Sequence, residues 1–394
     1  MTPGGSTLVS SDTEVLSIAE AADVLGVKQS TVYAYISRGL LKRHRLPRDR
    51  RSWLSRSDVE GFGQRKGTRT LLREEEPATT EVGRIDEDRL LYREHDAVEL
   101  ARTASYEQVA ELLWGQAGAA FARELEPELV AAIHRLQDTM PAGSLPLDRL
   151  KVTATLLGAR DSFRYDLSVQ SVLSAARTLA PAFVESLPRP GESCEPDRSI
   201  AERLWGRLTA EPATPDRIAV LSAALVLLAD HGLGPSTRAV REAAATAADP
   251  YSAVLAGMSV ASGLLLGGGS SLAVQAWLGD IGTPDAVSRV LEQRLLRGDR
   301  LSGFGQPRYR RADPRAATLL EMLAATPADP ERLAIVEAAT DLVRRRRSLE
   351  PNVEFALGAL CFVHGMTEGA GEAVFVIART AGWVAHALET YSVQ

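Results

Sequence analysis

Apolar positions recur at helical spacing through most of the chain. Over Leu16–Gly26, Ile18, Ala21, Ala22 and Leu25 share one helical face. Ser17 stands at the N-cap and Glu20 follows three residues later, a capping-box pattern that predicts where this helix begins. Gly26-Val27 supplies a tight turn, and Gln29–Gly39 predicts a second short helix with Val32, Tyr33 and Ile36 facing inward. Two helices of this length across a tight turn have helix-turn-helix spacing. Leu40–His44 and Arg51–Ser55, on either side of a Pro47/Asp49 turn, predict a two-stranded wing, closed by a short helix from Ser57.

From Arg84 onward the pattern is alanine- and leucine-rich with helical period, interrupted by Pro and Gly. Ser105–Trp114, Asp148–Leu157, Asp216–Ala229 and Pro330–Arg347 are the clearest helices. Strand-like alternation is confined to the wing and to Asp86–Tyr92, so the fold class is mainly α. The expected organisation is a disordered N-terminus over 1–14, a small head over 15–65, a linker over 66–83 and a body over 84–394. The linker reading rests on polar composition and the Glu74-Glu75-Glu76-Pro77 run.

With 394 residues, 45% of them apolar, the chain is long enough for two or three folded units and too apolar to be mostly disordered. Two cysteines, Cys194 and Cys361, cannot build a disulfide framework or a four-cysteine metal site, which points to a reducing compartment. The histidines show no metal-ligand spacing, so no metal is expected. The polar start lacks the basic-then-apolar order of a signal peptide, and no apolar stretch approaches membrane-spanning length. These features predict a cytoplasmic protein without a membrane partner.

The net charge of −6 hides an asymmetry. Residues 1–70 carry 12 Lys/Arg against 7 Asp/Glu, a net of +5, whereas the remainder carries 33 against 44, a net of −11. Within Leu40–Arg56, Lys42, Arg43, Arg45, Arg48, Arg50, Arg51 and Arg56 face only Asp49. A basic head on an acidic body points to a polyanion-binding module attached to something else.

The run LSIAEAADVLGVKQSTVYAYISRGLL, followed by the basic hairpin and LSRSDVEGF, resembles the winged-helix head of MerR-type regulators and excisionases over roughly residues 15–65. That resemblance implies double-stranded DNA as partner. Gln29, Ser30, Thr31 and Tyr33 would open the helix that enters the major groove. Lys42, Arg43, Arg45, Arg48, Arg50 and Arg51 would sit on phosphates or reach into the minor groove. The chemistry agrees: short polar side chains at a helix N-terminus suit bases and phosphates, and clustered Lys/Arg give salt-dependent affinity.

Four further segments, in order, resemble citrate synthases. They are RLLYREHDAVELARTASYEQVAELLWG (89–115), LADHGLGPSTRAVREAAATAADPYSAVLAGMSVASGLLLGGGSSLAV (228–274), GFGQPRYRRADPRA (303–316) and EPNVEFALGALCFVHGMTEGAGEAVFVIARTAGWVAHALE (350–389). The resemblance implies an all-helical body whose small domain, roughly 230–345, closes on a large one, and it implies a homodimer.

The chemistry of that family needs a carboxylate to take a proton from acetyl-CoA, a histidine to stabilise the enol and a second histidine to polarise oxaloacetate. By resemblance those roles fall here on Glu354 in place of aspartate, Leu266 and Gln306. Leucine donates nothing to an enolate, and losing one such donor costs about 10²–10³ in rate. Glutamine cannot shuttle a proton, which costs roughly 10²–10⁴ more.

The keto-acid site is only half dismantled. His231 and Arg379 stand at family ligand positions, while Pro307 replaces an arginine and Arg308 lies beside it. Gly263–Gly269 lacks the Lys-Ser/Thr ending of a phosphate loop and reads as a packing loop. Arg297, Arg300, Arg308, Arg310 and Arg311 face CoA phosphates in one reading and solvent in the other. Arg344–Arg347 reads as a charged helix C-terminus favoured by the helix dipole.

The expectation is a pseudoenzyme: a DNA-binding regulator whose degenerate body binds a small carboxylate or acyl-CoA through His231, Gln306, Arg308, Glu354 and Arg379. No cofactor is required, and CoA or an acyl-CoA enters as a candidate ligand. Glu354 keeps a second reading open, an acyltransferase of the citrate synthase type with altered chemistry. Replacing Arg50 and Arg51 together by alanine should weaken DNA binding across sequences and lower the log–log salt slope by about two, one unit per lost phosphate contact. Fluorescence anisotropy over a salt series measures both quantities, and an unchanged slope refutes the assignment.

Overall fold

A computed structural model describes residues 15–25, 27–37, 41, 52–56, 58–59, 80–118, 121–122, 124–263, 268–297 and 301–393. It separates into two compact units, Met1–Pro77 and Ala78–Gln394. The body thus begins six residues earlier than the linker composition indicated.

In the first unit, α1 (Ile18–Val24) starts at Ser17, whose hydroxyl accepts the Glu20 N–H while the Glu20 carboxylate accepts the Ser17 N–H at 2.8 Å. The capping box stands as the spacing predicts. Ile18, Ala21, Ala22, Val32, Leu41, Leu54 and Val59 form a small buried cluster between α1 and α2 (Gln29–Ser37). One expectation is corrected. Tyr33 is 55% exposed, and the half-buried Tyr35 and Ile36 pack on the cluster in its place. Strand β2 (Trp53–Ser55) pairs antiparallel with β1 (Val15–Ser17), and the Leu16–Leu54 pair faces inward. The wing positions 42–51 lie outside the described residues.

The second unit opens with a three-stranded antiparallel sheet, β3 (Gly83–Asp86), β4 (Arg89–Tyr92) and β5 (His95–Asp96), where alternation was read. Glu87 and Asp88 take positive φ in its two-residue turn, the twist that hairpins favour. Helices follow: α3 (Ala97–Thr103), α4 (Tyr106–Trp114), α5 (Pro127–Asp138), α6 (Pro146–Arg160), α7 (Val169–Ser186), α8 (Ile200–Leu208) and α9 (Pro215–Leu228). After them come α10 (Pro235–Ala245), α11 (Pro250–Ala261), α12 (Gly268–Gly279), α13 (Val287–Leu296), α14 (Pro314–Ala324), α15 (Pro330–Arg347), α16 (Val353–Val363) and α17 (Ala370–Tyr391). Many open on proline, whose fixed φ and missing N–H suit the first helical turn, so several of the prolines that interrupt the sequence are helix starts.

Helix α17 is the centre of the body, packing against α4, α6, α7, α9, α10, α11 and α12. Its sequence permits this: small residues such as Ala373, Ala378, Ala381 and Gly382 let neighbours approach from several sides, and Val374, Ile377 and Trp383 fill the remaining space. Helices α10 and α11 pack on α6 and α17, so residues 235–261 join the central bundle and are not set apart as the start of a small lobe at residue 230.

His364, just past α16, is 2% exposed, lies edge-on to Trp205 and has no partner at Nε2 among the described residues. Burial, with Arg217 and Arg332 nearby, pushes its pKa down to about 4. The unfolded chain takes this proton near the ordinary value of about 6.5, whereas the folded chain resists until about 4. Stability is therefore complete above that range and lost as pH falls through it, by about 3 kcal/mol at its lower end. Urea denaturation between pH 7 and 4 should show this loss, and His364→Gln should flatten it.

Candidate ligand-binding site

Successive turns of α17 hold the end of α9. The Arg379 Nε donates to the Leu228 carbonyl at 2.7 Å, the Gly382 N–H to the Ala229 carbonyl at 3.1 Å, and His386 Nε2 meets the Asp230 carboxylate at 3.1 Å. Helix C-termini leave carbonyls without partners, and here a buried cation and a backbone N–H supply them. Glycine is required at 382: a Cβ there would lie 2.4 Å from the Ala229 oxygen. Asp230 also accepts the Gly232 N–H at 2.7 Å, and the Tyr92 hydroxyl donates to the Val226 carbonyl at 2.8 Å beside it. Burial opposes the Asp230 charge, but His386 and Arg379 hold its carboxyl below the usual range.

This clamp presents His231. Its Nδ1 lies 3.2 Å from an Arg308 terminal nitrogen, which also donates to the His231 carbonyl, and its Nε2 lies 2.9 Å from the Tyr309 hydroxyl. A guanidinium only donates, so Nδ1 is the acceptor and Nε2 carries the hydrogen. Burial, reinforced by Arg315 and Arg379, pushes the His231 pKa well below its ordinary value, and the ring is neutral. Burial brings Arg308 down to about 10 and Tyr309 up to about 12.

Beneath them Asp313 and Arg315 form a two-pronged buried pair at 3.0 and 2.7 Å. Asp313 also caps α14 through the Arg315 N–H and accepts the Val353 N–H at the start of α16. Burial works against the Arg315 charge, but Asp313 outweighs it and raises the pKa. Glu354 lies in the first turn of α16 with Oε2 buried and without a partner among the described residues. Burial raises its pKa, while Arg315 pulls the other way.

Gly303 and Gly305 adopt positive φ in the loop that carries Gln306, and hydrogen bonds to Glu350 and Asn352 fasten that loop to the approach of α16. The Gln306 side-chain oxygen accepts the Arg308 N–H at 3.2 Å. His231, Arg308, Tyr309 and Arg315 are thus in mutual contact or close by, and Arg379 and Glu354 feel each other's charge. Leu266 lies outside the described residues. Gln29, Thr31 and Tyr33 are on α2 with Gln29 and Tyr33 exposed; Ser30 is on the same helix, and Lys42, Arg43, Arg45, Arg48, Arg50 and Arg51 lie outside the described residues.

Sequence reasoning missed Asp230, Tyr309 and the Asp313–Arg315 pair. The Asp-Pro-Arg string carried a usable signal, because an N-cap Asp followed by Pro places an Arg where it can return to its own cap.

The family model described as "Citrate synthase, C-terminal domain" matches residues 72–394. The chain belongs to the citrate synthase family. A helix-turn-helix domain model matches residues 15–66, so this family member carries a helix-turn-helix domain at its head. Citrate synthase 2 of Bacillus subtilis is 28% identical over 333 residues, 79% of this chain and 89% of the relative. The 2-methylcitrate synthase 2 of Corynebacterium glutamicum is 27% identical over 331 residues, 77% of this chain and 85% of the relative. In fold the chain is similar to citrate synthase from Thermoplasma acidophilum, solved as a ternary complex with carboxymethyl coenzyme A and oxaloacetate. The TM-score is 0.66 at 22% identity, covering 82% of this chain and 91% of that one. Among the described residues no group of three or more His, Cys, Asp or Glu is placed to hold a metal ion, and no helix is long and apolar enough to cross a membrane.

Within this citrate synthase fold the charges are unequally matched. Arg315 has Asp313, and Asp230 has His386. Arg379 spends only Nε, lies 4.8 Å from the centre of the Phe375 ring, and its two terminal nitrogens have no hydrogen bond to a described residue. Asp313→Ala should destabilise the body by about 3–5 kcal/mol, because it strands a buried guanidinium. Glu354→Gln, which breaks no side-chain hydrogen bond to a described residue, should stay within about 1 kcal/mol of wild type. Denaturant unfolding of both variants tests the contrast.

Proposed function

We propose that the chain is a MerR-like DNA-binding transcriptional regulator, acting in the cytoplasm as a homodimer, whose body is a catalytically degenerate citrate synthase fold that senses a small carboxylate or an acyl-CoA. The observation that carries this reading is the buried Arg379. A guanidinium 4% exposed, with both terminal nitrogens uncommitted among the described residues, is costly in an empty site and well matched to a carboxylate that accepts two parallel hydrogen bonds. Beside it, the neutral His231 is oriented by Arg308 and Tyr309 and offers the ligand a polar edge without adding charge.

The chemistry of the ordinary reaction is missing at two of three positions. Gln306 is tied to its own loop and cannot shuttle a proton, and Leu266 has no donor for an enolate. On the DNA side, the exposed Tyr33 and Gln29 on α2 and the basic run over residues 42–51 support recognition by the head. The solved ternary complex makes an acyl-CoA a reasonable occupant alongside a simple carboxylate. Glu354 favours the second reading, acyl-CoA condensation with altered chemistry, because it keeps a carboxylate in the first turn of α16.

Acetyl-CoA with oxaloacetate should release no CoA at a rate within the ordinary enzyme range of about 1–10³ s⁻¹. A thermal-shift screen of carboxylates and acyl-CoAs should yield a stabilising compound, and Arg379→Lys should weaken its calorimetric affinity about tenfold or more while leaving the protein folded. Turnover with any acyl-CoA and keto-acid pair would move the assignment to the enzyme reading. Equal affinity in the lysine variant would remove the carboxylate clamp.

A further inference from the structure

The turn that presents His231 is joined to the first residues of the body by an unbroken set of contacts. From Asp230, His386 Nε2 is at 3.1 Å, and the other nitrogen of the same ring is 3.4 Å from the Thr80 hydroxyl. Thr80 reaches the Glu389 carboxylate at 3.2 Å and accepts the Val82 N–H at 3.2 Å. The Glu81 N–H donates to the same Glu389 oxygen at 2.9 Å, and the other Glu389 oxygen is held by Arg241 of α10. His386 and Asp230 are wholly buried, so water does not compete along the first part of this path.

A steric key accompanies the hydrogen bonds. A Cβ at Gly83 would lie 2.1 Å from an Asp230 carboxylate oxygen, and one at Gly232 would lie 3.0 Å from the Gly83 carbonyl. Both neighbours of His231 therefore touch the start of β3 with no slack. The same small sheet meets the site at two further points: Tyr92 bonds the Val226 and Asp230 backbones, and Asp88 in the hairpin turn accepts the Arg310 N–H at 2.6 Å. Packed contacts of this kind switch between arrangements and do not stretch.

Thr80 is also the first described residue of the body, and it follows the helix-turn-helix domain in sequence. We infer that Thr80–Gly83 is the output of the ligand site: a ligand that shifts the Asp230–Gly232 turn displaces this segment, and through it the chain leading to the DNA-binding head. This rests on the sensor reading above. It adds the route, and it makes Thr80 and Glu389 positioning residues that touch no ligand. Coupling along the route is reciprocal, so a disturbance at Thr80 reaches His231 as surely as the reverse.

The test uses the full chain. Amide hydrogen exchange is compared in wild type, His231→Ala, Thr80→Val and Thr80→Ser, with the His231 ring proton shifts followed by NMR in the two Thr80 variants. His231→Ala should speed exchange at Glu81 and Val82 by about tenfold while the α5 amides stay protected. Thr80→Val should move the His231 resonances, and Thr80→Ser, which keeps the hydroxyl, should restore them. Unchanged exchange at Glu81 and Val82, or unmoved His231 resonances in Thr80→Val, overturns the proposal.

The compound found by thermal shift then separates the two claims. If it alters DNA affinity in wild type and equally in Thr80→Val, the route is wrong and the sensor stands. If it leaves DNA affinity unchanged in wild type, the sensor reading fails, and the exchange and NMR measurements alone decide the route.

Discussion

The body depends on one close approach, where α17 lies against the last turn of α9. Three residues of α17 spaced at helical intervals, Arg379, Gly382 and His386, take up the Leu228 carbonyl, the Ala229 carbonyl and the Asp230 side chain in turn. The absence of a side chain at Gly382 makes the distance possible, and the distance makes the two flanking polar contacts possible. A helix end that would otherwise bury carbonyls without partners becomes a rigid platform, and the residue after that platform is His231. Packing and the placement of His231 are set by the same three contacts.

Electrostatics sharpens the consequence. Two of the buried carboxylates near the platform have basic partners: Asp313 binds Arg315, and Asp230 meets His386. Glu354 is driven toward its neutral form by burial, and His231 is held neutral. Arg379 meets the charges of Asp230 and Glu354 without a hydrogen bond to either, and its terminal nitrogens bond no described residue.

Much of this was legible in the residues. The Ser17–Glu20 capping box, the two-helix spacing and the bounds of Pro330–Arg347 follow from local chemistry, and the structure has them where they were read. The citrate synthase body was legible because four ordered segments carried its motifs, and the family match over residues 72–394 agrees. What escaped was non-local. Nothing in the periodicity around Leu54 says that its strand pairs with Val15–Ser17, and Tyr33, with an apolar body and polar tip, fits either side of a short helix. Thr80 and Gly83 sit in a stretch whose composition reads as linker, yet hydrogen bonds and a steric fit to residues some 150 to 310 positions away draw them into the body.

The contact between Arg379 and the end of α9 bears on how such a chain changes over generations. Gln306 sits on a loop and Glu354 at a helix start, and neither supplies a helix end with a partner; Arg379 does. Exchanges at 306 and 354 therefore leave the contacts between α17 and α9 in place, while an exchange at 379 must first find another donor for the Leu228 carbonyl. In a fold arranged this way, the side chains around the arginine are free to vary long before the arginine is.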